Sequence, residues 1–168
     1  MTLKQHLLFC AGLFLFLVMA AACSGLSPSP TPTLPLPTPT SPVLAAESVA
    51  QAFITAYEAK QAEDWLALFS NDALFMDNGN DEFRKEGAHY VRNEQTFVKH
   101  LFSLKNFSMK FNSYFVSDDG RFIALNGTYT STGKDGNPAS VPIMIILEVV
   151  DGKIIREDDY YDGSPFFY

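Results

Sequence analysis

The sequence predicts an α+β domain in which a strongly curved antiparallel sheet folds over N-terminal helices. Three observations support this. Apolar residues recur at helical spacing through residues 44–104, they alternate with polar ones from residue 107 onward, and short Asp-Gly and Gly-rich turns separate the alternating runs. Helices first and hairpin-linked strands afterwards is the order of an α+β fold with its helices gathered on one side of the sheet.

Taken in order, residues 44–60 read as a helix with Val49, Phe53, Ala56 and Tyr57 on one stripe and Glu47, Gln51, Glu58 and Lys60 largely off it. Residues 62–69 form a second helix carrying Trp65, Leu66, Leu68 and Phe69. A short strand follows over 73–77, then a tight turn at Asn78-Gly79-Asn80-Asp81, because Asn-Gly supplies the positive φ such turns demand. The charged stretch 81–87 reads as irregular, 89–92 as a brief strand, and 94–104 as a third helix on the stripe Phe97, Leu101 and Leu104. In 107–115, Phe107, Met109, Phe111, Ser113 and Phe115 alternate with Ser108, Lys110, Asn112 and Tyr114, the period of a half-buried strand. Asp118-Asp119-Gly120 turns the chain into strand 121–132, the loop 133–138 leads to the apolar strand 141–150, and Asp151-Gly152 turns it into strand 153–162.

Residues 1–22 read as a targeting segment, since Lys4 and His6 precede an apolar run over 7–20. That run has 14 residues, and a helix needs about 20 to cross a bilayer. Ala20-Ala21-Ala22-Cys23-Ser24 resembles the lipobox of bacterial lipoproteins, with Ala20 where that family most often has leucine. The resemblance implies cleavage before Cys23, acylation of its thiol and an extracytoplasmic position on the cell envelope. The alternative is an ordinary secretory signal cut after Ala22. Cys10 and Cys23 are the only cysteines, so the mature chain has no disulfide to form. Residues 23–43 hold seven of the ten prolines among small residues, a composition that stays solvated and extended, as a linker or spacer.

The remaining domain, 44–168, has 11 basic against 19 acidic residues, a balance of −8. That disfavours nucleic acid and anionic lipid as partners, both of which need basic patches.

Four stretches resemble the SnoaL-like branch of the nuclear transport factor 2-like superfamily. They are AEDWLALFSNDA over 62–73, the strand Ala73-Leu74-Phe75-Met76-Asp77, VRNEQTFVKHLF over 91–102, and EVVDGKIIREDDYYD over 148–162. The resemblance implies a cone-shaped, cystatin-like fold with a pocket between sheet and helices. It also implies a range of activities, from isomerases and cyclases to non-catalytic binding or assembly domains, so fold alone does not decide function. A gapless count along it places Asp77 where ketosteroid isomerases carry a general base. The same count puts Phe53 and Ile146 where those enzymes have two oxyanion donors, and neither residue can donate.

Strand alternation sets Glu157, Asp159 and Tyr161 on one face and Arg156, Asp158, Tyr160 and Asp162 on the other, and the resemblance turns the first face into the pocket. Asp77 opposite Asp159, with Tyr57, Trp65 and Tyr161 as walls, makes an acid/base pair in an aromatic cup, or a cup for a cation. Phe53, Phe75, His89, Tyr90 and Glu157 are further candidates for ligand contact. His89 and His100 have no acid at ligand spacing, so no metal is expected. Neither a phosphate-binding glycine loop nor a G-x-S-x-G nucleophile motif is present, and no cofactor is expected. Two functions follow. One is a binding domain for a small apolar molecule or a protein partner. The other is an isomerase, cyclase or dehydratase using Asp77 with Asp159. The resemblance adds a homodimer formed through the sheet.

Overall fold

The computed structural model describes residues 41–167; the targeting segment 1–22, Cys23 and the stalk as far as residue 40 lie outside the described residues. Helix α1 (Pro42–Glu58) opens on a proline, whose fixed φ suits a first turn and whose missing N–H is no loss there. It starts two residues ahead of the expected position and buries the expected stripe of Val49, Phe53, Ala56 and Tyr57. Helix α2 (Ala62–Leu66) is shorter than expected, because Phe69 already belongs to β1 (Phe69–Asp77). The pairing of β1 is irregular between Phe69 and Leu74, which hides its first half from an alternation test.

Two local readings are corrected after β1. Residues expected to be irregular form helix α3 (Asp81–Glu86). Its ends are well signalled: the Asn80 side chain accepts from Glu82 N–H, acids fill the first turn, Arg84 and Lys85 the last, and Gly87 at φ +88 ends it. Strand β2 (His89–Tyr90) is only two residues long and gives way to a 3-10 turn at Val91–Asn93.

Helix α4 (Gln95–Ser103) turns a different face inward from the one expected. Val98 and Phe102 are buried, while Phe97 is 42% exposed. The two stripes lie side by side on so short a helix, and Phe102 is the one that stacks on Phe107 and meets Trp65.

Strands β3 (Ser108–Val116), β4 (Phe122–Thr132), β5 (Pro138–Val150) and β6 (Lys153–Tyr161) form the antiparallel meander that the turns predict. The Asp151-Gly152 turn has both residues at positive φ, at 51° and 72°, as a two-residue hairpin requires. In β3 the register shifts between Phe111 and Ser113, so the inward set changes there and Phe115, expected inside, is 72% exposed.

The sheet order is β2-β1-β6-β5-β4-β3, and β6 lies parallel to β1. The curved sheet is therefore mixed, not wholly antiparallel. Hairpin signals report only neighbours in sequence, and this pair closes across most of the domain. Helix α1 packs on β3 and β4, α4 packs on α2, and a last turn, α5 (Ser164–Phe167), follows β6. No helix of the described residues is long and apolar enough to cross a membrane.

Phe53 is fully buried, 4.9 Å from the Tyr57 ring and 6.1 Å from Phe111 between centroids. Phe53→Ala removes that wedge between α1 and β3 and is expected to cost about 3–5 kcal/mol, read as a lower urea midpoint with an unchanged m-value.

Candidate functional site

Asp77 ends β1 and Asp159 lies in β6, and the parallel register makes them Cα partners, with Phe75 opposite Glu157. A period of two then sets Glu157, Asp159 and Tyr161 on the inward face. Glu157 is 0% exposed, and Asp77 and Asp159 are each 7% exposed. Among the described residues no ion pair reaches these three carboxyls; Arg156 pairs at 2.8 Å with Asp158, on the outward face.

A cavity of about 40 Å³ lies against them. Its walls include Tyr57 from α1, Trp65 from α2, Phe75 from β1, Tyr129 from β4 and Tyr161 from β6. Two further lining residues, Phe97 and Phe167, are 42% and 45% exposed and mark the mouth.

Hydrogen bonds hold two of the acids. The Tyr161 hydroxyl donates to Asp77 Oδ2 at 3.0 Å, and the Gly79 and Asn80 N–H groups donate to Oδ1 at 3.0 and 3.1 Å. The Tyr57 hydroxyl donates to Glu157 Oε1 at 3.2 Å. Glu157 Oε2, Asp159 Oδ1 and Trp65 Nε1 are buried without a hydrogen-bond partner.

The Asn-Gly turn differs from expectation in a way that matters here. Gly79 does not take positive φ; it is glycine because a Cβ would run into the Tyr161 ring. The turn is an Asp77 side-chain turn, and its tightness brings the Tyr161 hydroxyl onto Asp77.

Burial dominates the acid–base state of the cluster. It pushes Glu157 up to about 8, and hydrogen bonds from Asp159 and Tyr57 oppose the shift without cancelling it. Asp159 is held well above the ordinary carboxyl range by burial first and by the Glu157 and Asp77 carboxylates next. Asp77 is also raised by burial, despite the hydrogen bonds it accepts from Tyr161, Gly79 and Asn80. Two such close acids titrate as a pair, and the proton stays where charge is least tolerated. Asp159 therefore faces the cavity as a carboxyl that holds its proton more tightly than an ordinary acid, because burial and the neighbouring carboxyls oppose its charge.

Of the sequence-predicted residues, Asp77, Asp159, Tyr57, Trp65, Phe75 and Tyr161 line the cavity. Glu157 lies behind them, bonded to Tyr57. Three predicted contacts do not reach it. Phe53 is core; His89 stacks on Phe83 at 4.7 Å and meets Glu94 at 3.0 Å; Tyr90 is 43% exposed beneath Arg92. Ile146 pairs with Asp158 on the outward face, so the position implied for a second donor is not a cavity position. Sequence reasoning missed Tyr129, although the alternation of β4 would have placed it inward with Ile123 and Leu125. It also missed Phe167, which lies beyond the last strand.

Residues 50–157 match the profile of the SnoaL-like domain. The chain belongs to the SnoaL-like domain family. Solved structures agree on the fold. A proposed polyketide cyclase from Xanthomonas campestris is 16% identical, with a TM-score of 0.59 over 72% of this chain and 93% of its own. An M. tuberculosis epoxide hydrolase is 16% identical, with a TM-score of 0.58 over 74% of this chain and 87% of its own. A hypothetical protein from Catenulispora acidiphila with a ketosteroid isomerase-like fold, in complex with trimethylamine, is 16% identical, with a TM-score of 0.56 over 70% of this chain and 87% of its own. No curated protein matches the chain. At these identities the SnoaL-like neighbours establish architecture alone.

The cluster makes stability pH-dependent with a definite sign. Each acid holds its proton more tightly when folded, so stability is fully present below the unfolded carboxyl range and is lost as pH rises through the folded values. For Glu157 the window runs from its ordinary 4.5 to about 8. Thermal melts are expected to fall across that range, by about 1.4 kcal/mol per pH unit for each proton held only by the folded state. Glu157→Gln is expected to flatten the slope by one such proton; an unchanged slope rules out Glu157 as its source.

Proposed function

We propose that this SnoaL-like domain binds a small, mostly apolar molecule through one polar group held by the buried carboxyls. Asp159 carries this reading. A buried carboxyl with an unpartnered oxygen, on the wall of an aromatic cavity, costs stability. Ligand pockets combine apolar walls with a few convergent polar groups in this way, although at volumes of roughly 300 Å³ and above. A cavity of about 40 Å³ takes a head group, with the rest of the molecule leaving past Phe97 and Phe167. Similar structures that include an epoxide hydrolase and a trimethylamine complex agree with a small-molecule pocket.

One observation favours a second reading, acid/base catalysis. Asp77 and Asp159 are register partners with unequal support: Asp77 accepts three hydrogen bonds, whereas Asp159 keeps a free oxygen. Such a pair can take a proton at one carboxyl and return it from the other. This is the isomerase, cyclase or dehydratase reading, and steroid isomerisation through two donors at Phe53 and Ile146 is no part of it.

We further propose that a lipid on Cys23 displays the domain outside the cytoplasm, on the strength of Ala20-Ala21-Ala22-Cys23-Ser24 and the proline-rich stretch after it.

Screening small amphiphiles by thermal shift is expected to yield a binder, and Ile143→Trp, which fills the cavity beside Tyr161, is expected to lose it. Unchanged binding by that variant defeats the pocket reading. For the catalytic reading, Asp77→Asn is expected to lower turnover of a carbonyl or epoxide compound by about 100-fold or more while the domain stays folded. Cys23→Ser is expected to accumulate as an uncleaved precursor that takes up no radiolabelled fatty acid; normal processing of that variant sinks the anchor.

A further inference from the structure

We propose that the polar group accepted by the cavity is a cation, the head of a small alkylammonium compound; the proposal rests on the binding reading above. Every titratable group facing the cluster is an acid or a neutral phenol. From β6 come Glu157, Asp159 and Tyr161, from β1 Asp77, from α1 Tyr57 and from β4 Tyr129. Among the described residues no lysine, arginine or histidine pairs with any of the three carboxyls, whereas Arg156 and Arg121 pair with acids on the outward face or rim.

Hydrogen-bond supply points the same way. The Tyr161 and Tyr57 hydroxyl hydrogens are already committed to Asp77 and Glu157, and two acceptor oxygens, Asp159 Oδ1 and Glu157 Oε2, remain without donors. Asp159 is itself more than nine-tenths buried and lines the cavity, so its carboxyl forms part of the wall a ligand would meet. An ammonium group supplies a donor on the Asp159 side of the cavity and, once a carboxyl of the cluster ionises, the counter-charge that no described residue provides.

The walls suit such a group. Tyr57, Trp65, Tyr129 and Tyr161 present the aromatic surface on which alkylammonium ions rest by cation–π attraction, which strengthens where water is excluded. A metal ion fits less well, since no group of three His, Cys, Asp or Glu at ligand geometry occurs among the described residues. About 40 Å³ is room for two or three waters, enough for a methylated ammonium head but not for a bulky ligand. The neutral alternative is a carbonyl or hydroxyl held by Trp65 Nε1, an unpartnered donor of a residue that lines the cavity.

The test is calorimetric titration of the folded domain with trimethylammonium and n-butylammonium, against tert-butanol and n-butanol as neutral counterparts. An ammonium ion is expected to bind at least tenfold tighter than its alcohol, and the preference is expected to grow from pH 6 to pH 8 as the carboxyls give up their protons. Asp159→Asn is expected to abolish the preference for each ammonium ion over its alcohol; a folded variant that keeps the tenfold preference overturns the proposal. If that variant fails to fold, the pH dependence of the unaltered protein decides, and a preference that does not grow overturns the proposal. Alcohols binding as well as the ammonium ions, or better, overturns the cation and leaves the pocket reading standing. Failure of all four compounds overturns both.

Discussion

Parallel pairing of β1 with β6 decides which carboxyls meet. Side chains alternate along a strand, so the register that sets Asp77 beside Asp159 also sets Phe75 beside Glu157 and turns all of them to one face. A slip of one residue in β6 would exchange Glu157, Asp159 and Tyr161 for Arg156, Asp158 and Tyr160, replacing an apolar acid cluster with a salt-bridged one. The rest of the domain holds that register: β5 pairs with β6 on its other edge, and the Lys153 ammonium donates to the Ala67 carbonyl just before β1.

The acids are then exposed to a conflict of magnitudes. Burying an ionised carboxylate costs several kcal/mol even after relaxation, whereas each hydrogen bond to the charge returns about 1.5–3 kcal/mol. Asp77 receives three and comes nearest to balance; Glu157 and Asp159 receive fewer and hold their protons more tightly than ordinary carboxyls. The aromatic wall causes this outcome, because it excludes the water that would solvate the charge. Those rings also bury much of the area between helices and sheet: Trp65 is 4.5 Å from Phe69 and 5.9 Å from Tyr57 between centroids. The same side chains thus stabilise the fold and set the chemistry of the site.

Much of this was legible in the sequence because it depends on local periodicity. The stripe of α1 and the alternation of β6 placed Tyr57, Glu157, Asp159 and Tyr161 correctly, and turn chemistry located the hairpins from β3 to β6. What escaped depends on tertiary contact. The parallel partner of β1 has no local signature, and the bulge in β3 moved Phe115 outward without any glycine to announce it. Helix α4 offered two adjacent stripes, and its neighbours chose between them. His89 and Tyr90 were adjacent to the right strand but on a piece of sheet edge that turns toward α3 and Glu94.

The distribution of unsatisfied groups separates site from scaffold. Four buried side-chain atoms in the described residues lack hydrogen-bond partners: Trp65 Nε1, Glu157 Oε2, Asp159 Oδ1 and Asn78 Nδ2. Trp65 and Asp159 line the cavity, Glu157 lies behind it, and Asn78 follows Asp77 directly. If these orphans were only residual imperfections of packing, they would be scattered through the buried faces of β4 and β5 as well. They gather instead around one cavity, where three acids have no counter-charge among the described residues, and that sets the candidate site apart from the rest of the core. The Gly79 turn fits that interpretation. It brings Tyr161 onto Asp77 and so fixes one acid firmly, while the neighbouring Asp159 keeps an oxygen free.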